Sequence, residues 1–179
     1  MRKLFLIAVV ALFATKSIQA QKNVVKVDLL GFLFNNTQVS YERVVNEKSA
    51  FELSLSYKKV TGSLATLSEE TDVNTVGVEG KYKFYLSSAY AAPRGWYVAP
   101  VVNYSSTTLE EAGKSGDVSS FGGGFLGGYQ WILGSSDSGF SLDVNFGGIY
   151  KSVNTTGDVT SINLEGLLPK FGLGVGYAF

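Results

Sequence analysis

The 179-residue chain has no cysteine and no histidine, only 3 prolines, and 17% charged residues. Without cysteine it can form neither a disulfide framework nor a thiolate metal site, and without histidine it has no imidazole for acid–base work or metal ligation. Most familiar enzyme constellations are excluded by these two absences. A long hydrophobic run is also missing. The apolar stretch Leu4 to Phe13 has ten residues, far short of the roughly 20 that a spanning helix needs. What is present is 45% apolar and 13% aromatic residues with 21 glycines, a composition of ordered, sheet-forming chains at a length that suits one domain.

The N-terminus reads as a secretory signal peptide: basic Arg2 and Lys3, the apolar Leu4–Phe13 run, and a small-residue end from Ser17 to Ala20 before Gln21. Cleavage after Ala20 is expected, leaving residues 21–179 as one β-barrel domain. It would remove Arg2, Lys3 and Lys16 from 15 basic residues and none of the 15 acids, so 12 face 15 and the net charge is −3. Such a balance is no footprint for nucleic acid.

From there on, apolar and polar residues alternate with period two, as they do in strands with unlike faces. Phe51, Leu53, Leu55 and Tyr57 oppose Glu52, Ser54, Ser56 and Lys58; Val76, Val78, Tyr82, Phe84 and Leu86 oppose Glu79, Lys81, Lys83 and Tyr85. Phe121, Phe125, Tyr129 and Trp131 oppose glycines and Gln130, Phe140 to Tyr150 repeat the scheme against Asp143, Asn145 and Lys151, and Phe171 to Phe179 oppose Lys170 and three glycines. Eight strands are predicted near residues 24–34, 37–45, 50–59, 74–86, 95–105, 117–132, 139–151 and 162–179. Most reach the roughly 9 to 11 residues that a tilted strand needs to cross a bilayer. Short connections (46–49, 87–94, 133–138) alternate with long ones (59–73, 106–116, 152–161), apart from a tight first turn at Asn35 and Asn36. That asymmetry fits an all-β, eight-stranded antiparallel up-and-down transmembrane β-barrel.

Energy decides which face looks outward. Lys81 and Lys83 turned to lipid would each cost about 2 to 4 kcal/mol near the midplane. The apolar face therefore meets lipid, and Lys26, Asp28, Glu42, Glu52, Glu79, Lys81, Lys83, Asp143 and Lys170 are expected to form an interior polar network in a lumen that side chains fill. Tyr41, Tyr57, Trp96, Tyr129, Trp131, Tyr150 and Tyr177 fall near strand ends on the outward parity, where amphipathic rings favour the membrane interface. Arg43 shares that parity, close to the short-turn rim, where the cost drops to roughly 0 to 1 kcal/mol.

The ending Phe171-Gly-Leu-Gly-Val-Gly-Tyr-Ala-Phe179 resembles the assembly signal of bacterial outer-membrane barrels. The mature chain is similar to the small eight-stranded outer-membrane families, the OmpA-, OmpX- and OmpW-like barrels, and Val39–Arg43, Phe51–Leu55 and Gly95–Pro100 resemble a poorly characterised branch of them. The resemblance implies that the barrel-assembly machinery reads Phe171, Leu173, Val175, Tyr177 and Phe179, and that the N-terminus and short turns are periplasmic. It carries over no catalytic residue.

Other apparent sites weigh little. Gly122-x-Gly124-x-x-Gly127 matches a dinucleotide fingerprint but sits inside an aromatic strand with no following helix. The sequons at Asn35, Asn103 and Asn154 mark loop ends or strand rims. Glu69, Glu70 and Asp72, and Glu110, Glu111 and Asp117, offer carboxylates that calcium or magnesium would accept, yet read first as solvated acidic rims. Pairs such as Glu42 with Glu52 or Asp143 with Glu79 read as structural charges rather than an acid–base couple. The expectation is a monomeric outer-membrane barrel without cofactor or catalysis, with a structural or surface-interaction role toward lipids, lipopolysaccharide or a surface partner. A second reading is a small binding barrel for an apolar ligand or lipid, hinted at by inward Tyr97, Leu126, Ile132 and Ile149. A third is a lipid-modifying outer-membrane enzyme; a deacylase would need a His and Ser pair and the chain has no histidine, while acyltransferase-like chemistry stays open.

Overall fold

The computed structural model describes residues 23–62, 71–111, 114–134, 138–157 and 165–179. The predicted signal peptide, Glu69 and Glu70 lie outside them, and the side chains of Asp72, Glu110 and Glu111 are likewise not described. Eight strands form one closed antiparallel barrel in chain order. They are β1 (Asn23–Asp28), β2 (Asn36–Asn46), β3 (Ser49–Gly62), β4 (Thr71–Tyr85), β5 (Gly95–Glu111), β6 (Lys114–Gly134), β7 (Gly139–Gly157) and β8 (Gly166–Ala178), with a short helix α1 (Leu29–Leu33) after β1. Closure is made by β1 against β8, from Val24 opposite Ala178 to Asp28 opposite Gly174. At the lower end, where the connections are short, Asn23 and Phe179 exchange backbone hydrogen bonds of 3.0 and 2.9 Å.

The first predicted strand needs correction. Leu29-Leu-Gly-Phe-Leu-Phe34 is a continuous apolar run without alternation, so it offers a strand no polar face. Asp28 caps a helical turn there, its carboxylate accepting from the Leu30 amide at 3.2 Å. Asn35 adopts a left-handed conformation, φ 55°, one that asparagine tolerates, and the chain enters β2. Above Gly174, β8 consequently faces α1 instead of a strand.

All three predicted long loops are also shorter than expected, β3 and β4 staying paired as far as Gly62 opposite Thr71. The β5–β6 ladder continues to Glu111 opposite Lys114, and β7 stays paired with β6 up to Gly157, so most of 106–116 and 152–161 is hairpin. Serine and threonine supply its cross-strand contacts, as between Thr75 and Thr107 at 2.9 Å and Ser105 and Ser120 at 2.8 Å.

Outward positions form a belt. Trp96, Val98, Val102 and Tyr104 on β5, Phe121, Phe125 and Trp131 on β6, and Phe140, Val144, Phe146 and Tyr150 on β7 are all exposed. Ten residues separate Trp131 from Phe121 and Phe140 from Tyr150, a rise of about 33 Å along the strand and about 25 Å once tilted, close to the apolar height of membrane barrels. Above the belt, outward positions turn polar, with exposed Asp117 on β6 and Asn154 and Thr156 on β7. At the lower rim Arg43 donates to the Asn23 side chain at 2.8 Å, beside Tyr41 at 2.7 Å.

Candidate functional site

The interior is where the titratable residues meet. Pleat parity turns Lys26, Glu42, Glu52, Lys81, Lys83 and Asp143 inward, and all six are buried. The ammonium of Lys26 lies 2.7 Å from Glu42, 2.6 Å from Glu52 and 2.7 Å from Asp143. Lys83 contacts the same three carboxylates at 2.9, 2.9 and 2.6 Å. Both lysines also donate to Gln130 Oε1, at 3.1 and 2.9 Å. Lys81 joins Glu52 at 2.8 Å and lies 3.4 Å from Glu79, whose other oxygen pairs with Lys170. Four lysines thus face four carboxylates, and the cluster is neutral.

Every oxygen of the three central carboxylates is engaged. Beyond the lysine contacts, Tyr85 donates to Glu42 at 2.6 Å and Tyr97 to Asp143 at 2.7 Å, while the Lys83 ammonium stands 4.4 Å from the centre of the Tyr97 ring. Such saturation is what makes buried charge tolerable. Glu42, Glu52 and Asp143 approach closely enough to ligate a metal ion, but Lys26 and Lys83 occupy the space between their oxygens. The same lysines hold the carboxylates as ion pairs, which leaves them poor acid–base partners.

Strands β1 to β7 each send a side chain into the central layer, where β8 sends glycine and, above it, Lys170. Gly176 lies opposite Lys26 in the ladder, and a methyl group there would collide with the backbone carbonyl of Val25. Gly128 clears space for Tyr97, whose ring atoms would come within 2.6 Å of an added Cβ. Below the ionic layer, Tyr85, Tyr97, Ala50, Ala92 and Ala99 form an apolar cluster. The 86–94 connection tucks Ala92 and Pro93 into that base, with the Ala92 amide bonded to the Glu47 carbonyl at 2.8 Å.

Asp28 stands apart from the ion cluster. Its carboxylate accepts from the amides of Leu30 and Leu173, both at 3.2 Å. The C-terminal residues Phe171, Tyr177 and Phe179 are exposed on the outer face, with Leu173 and Val175 at the same parity. Gly122, Gly124 and Gly127 lie within β6, paired on both sides, as packing glycines do. Asn103 faces inward, its amide 3.4 Å from Glu79. The inward apolar residues are split between separate clusters: Tyr97 in the base, Ile132 with Val24 and Ala178, and Leu126 and Ile149 with Val101. They do not line a common apolar cavity.

Alternation picks out the charged members of the cluster but not Tyr85, Tyr97 and Gln130 as their partners. Parity put all three inward; only three-dimensional register puts their polar atoms onto particular carboxylates and ammonium groups.

Among known proteins, the family model described as "Protein of unknown function (DUF3575)" matches residues 4–161. No curated protein matches the chain. The crystal structure of Acinetobacter baumannii CarO is similar, with a TM-score of 0.49 and 11% identity over 92% of this chain and 100% of that one. That of Acinetobacter baumannii CarO2 has a TM-score of 0.45 and 12% identity over the same shares.

Proposed function

The chain belongs to the family of proteins of unknown function DUF3575, and from that premise we propose that it is an integral bacterial outer-membrane protein with a structural or surface-interaction role and no catalysis. One observation carries this reading. The barrel exposes a continuous apolar belt, including Phe125 at 73% and Phe146 at 60%, while Lys83 and Glu42 inside are at 0%. Soluble monomers rarely expose apolar patches beyond a few hundred Å², whereas in hydrocarbon this arrangement is the low-energy one. No helix of the described residues is long and apolar enough to cross a membrane; the strands would do so.

In this reading the short connections and the mature N-terminus face the periplasm, after cleavage of residues 1–20. The hairpins above the belt are displayed to lipopolysaccharide or a surface partner, and the barrel acts as a monomer with the general design of the OmpA-, OmpX- and OmpW-like proteins. Phe171, Leu173, Val175, Tyr177 and Phe179 serve as the assembly signal. The ion cluster across the lumen argues for a scaffold rather than an open channel. Fractionation of expressing cells, with heat-dependent gel migration of the detergent-folded protein, tests the proposal: recovery in outer membranes is expected, and a detergent-free periplasmic product would defeat it.

A further inference from the structure

Above the ionic layer the lumen opens into a vestibule of about 420 Å³, within the range of small-molecule sites. Its charge is uneven. Asp28 accepts from two backbone amides through one oxygen, and Glu79 is paired with Lys170 and bonded by Asn103, so on the wall two acids face three lysines. Lys58 and Lys151 also line the cavity. Among the described residues, neither has a carboxylate within ion-pairing distance. They stand on opposite parts of the wall. Lys58 of β3 lies level with Asn36 and Thr75, and Lys151 of β7 lies level with Gly122 and Gly166. The missing side chain at Gly122 leaves room for the Lys151 stem and Asn103, which an added Cβ would meet at 3.1 and 2.5 Å. Ser56, Thr75 and Ser105 add hydroxyls to the wall, and Gln38 adds an amide.

We propose that this vestibule is a binding site for a small hydroxylated anion, a phosphate or carboxylate carried on a polyol body. The Lys58 and Lys151 ammonium groups, without a carboxylate partner among the described residues, supply charge-assisted hydrogen bonds to the anion, and enclosure in a dead-end cavity focuses their field. The hydroxyls and amides match a polyol, and the excess of lysines over acids on the wall disfavours a cation. The space below narrows to a cavity of about 30 Å³ bordered by the ion cluster, so the site captures its ligand and does not pass it through. The proposal is independent of the membrane reading, because a correctly inserted barrel that binds nothing would overturn this inference alone.

Calorimetric titration of the detergent-folded protein with glucose 6-phosphate, glucuronate, inorganic phosphate and neutral glucose tests it. Saturable binding of at least one sugar anion is expected, at least tenfold tighter than glucose or phosphate; the tighter of the two identifies the acid group. Lys58→Gln and Lys151→Gln should each weaken binding tenfold or more, while Lys58→Arg and Lys151→Arg retain it. Lys59→Gln, which removes an exposed outward charge next door, should change it less than twofold. Heat-dependent migration verifies that each variant is folded. Absence of saturable binding by either sugar anion, equal binding of glucose or phosphate, or an equal loss in Lys59→Gln would overturn the proposal.

Discussion

Replacing Lys26 with methionine keeps most of the length of the side chain and removes its charge and donors. The ammonium touches Glu42, Glu52 and Asp143 at 2.6 to 2.7 Å, all within a buried layer. Its loss leaves three lysines against four carboxylates, and breaking a buried ionic set in this way costs about 3 to 5 kcal/mol. Adding Asp143→Leu restores the balance of charge. Contacting members of one network couple by up to about 3 kcal/mol, so Lys26→Met/Asp143→Leu should be at least about 2 kcal/mol more stable than the sum of the single changes. Urea unfolding in lipid vesicles, followed by the fluorescence of Trp96 and Trp131 on the outer wall, reads all four corners of the cycle. Single variants costing under about 1 kcal/mol, or a double variant that is simply additive, would refute the view that the lumen is held by one coupled ionic cluster.

Three further outcomes are expected. Leu173→Arg, placing a charge on the outer face, should destabilise by about 2 to 4 kcal/mol if it lies near the midplane; a negligible shift in the urea midpoint would mean that the faces are misassigned. Phe179→Ala should lower the yield of assembled barrel in outer membranes more than the combined removal of Glu69 and Glu70, and equal yields would count against a C-terminal assembly signal. Gly128→Ala, whose Cβ would sit 2.6 Å from Tyr97 and from the Val144 carbonyl, should cost about 1 to 3 kcal/mol through overpacking. Gly123→Ala meets its nearest atom at 3.7 Å and should be close to neutral by the same unfolding assay.

Strand number, order and face were legible because a period of two leaves no ambiguity once lysines such as Lys81 and Lys83 must avoid lipid. What alternation does not encode is where a ladder stops. Leu29–Phe34 is apolar enough for a buried strand, and only the capping carboxylate of Asp28 and the left-handed Asn35 turn it into a helix. Residues 106–116 read as a loop because Ser106–Thr108 lack apolar residues; hydroxyl contacts such as Thr75 with Thr107 extend the ladder instead. For the interior, parity named the charged residues but not their arrangement. Lys26 and Lys83 converge on one set of acceptors because the strands that carry them are separated by β2 and β3 around a closed circle. Lys58 and Lys151 show the converse. Both sit on polar faces of their strands, yet their common cavity is visible only once β3 and β7 face each other across the lumen.

The absence of cysteine makes the direct test of the inside-out arrangement simple. Single cysteines placed from Leu142 to Tyr150 on β7, leaving Asp143 and Gly147 untouched, and spin-labelled in protein reconstituted into vesicles, report collisions with oxygen dissolved in the bilayer. High oxygen accessibility at 142, 144, 146, 148 and 150, alternating with low values at 145 and 149, is the predicted pattern. Uniform values, or maxima at the odd positions, would contradict a barrel whose apolar face meets lipid and whose charges lie within.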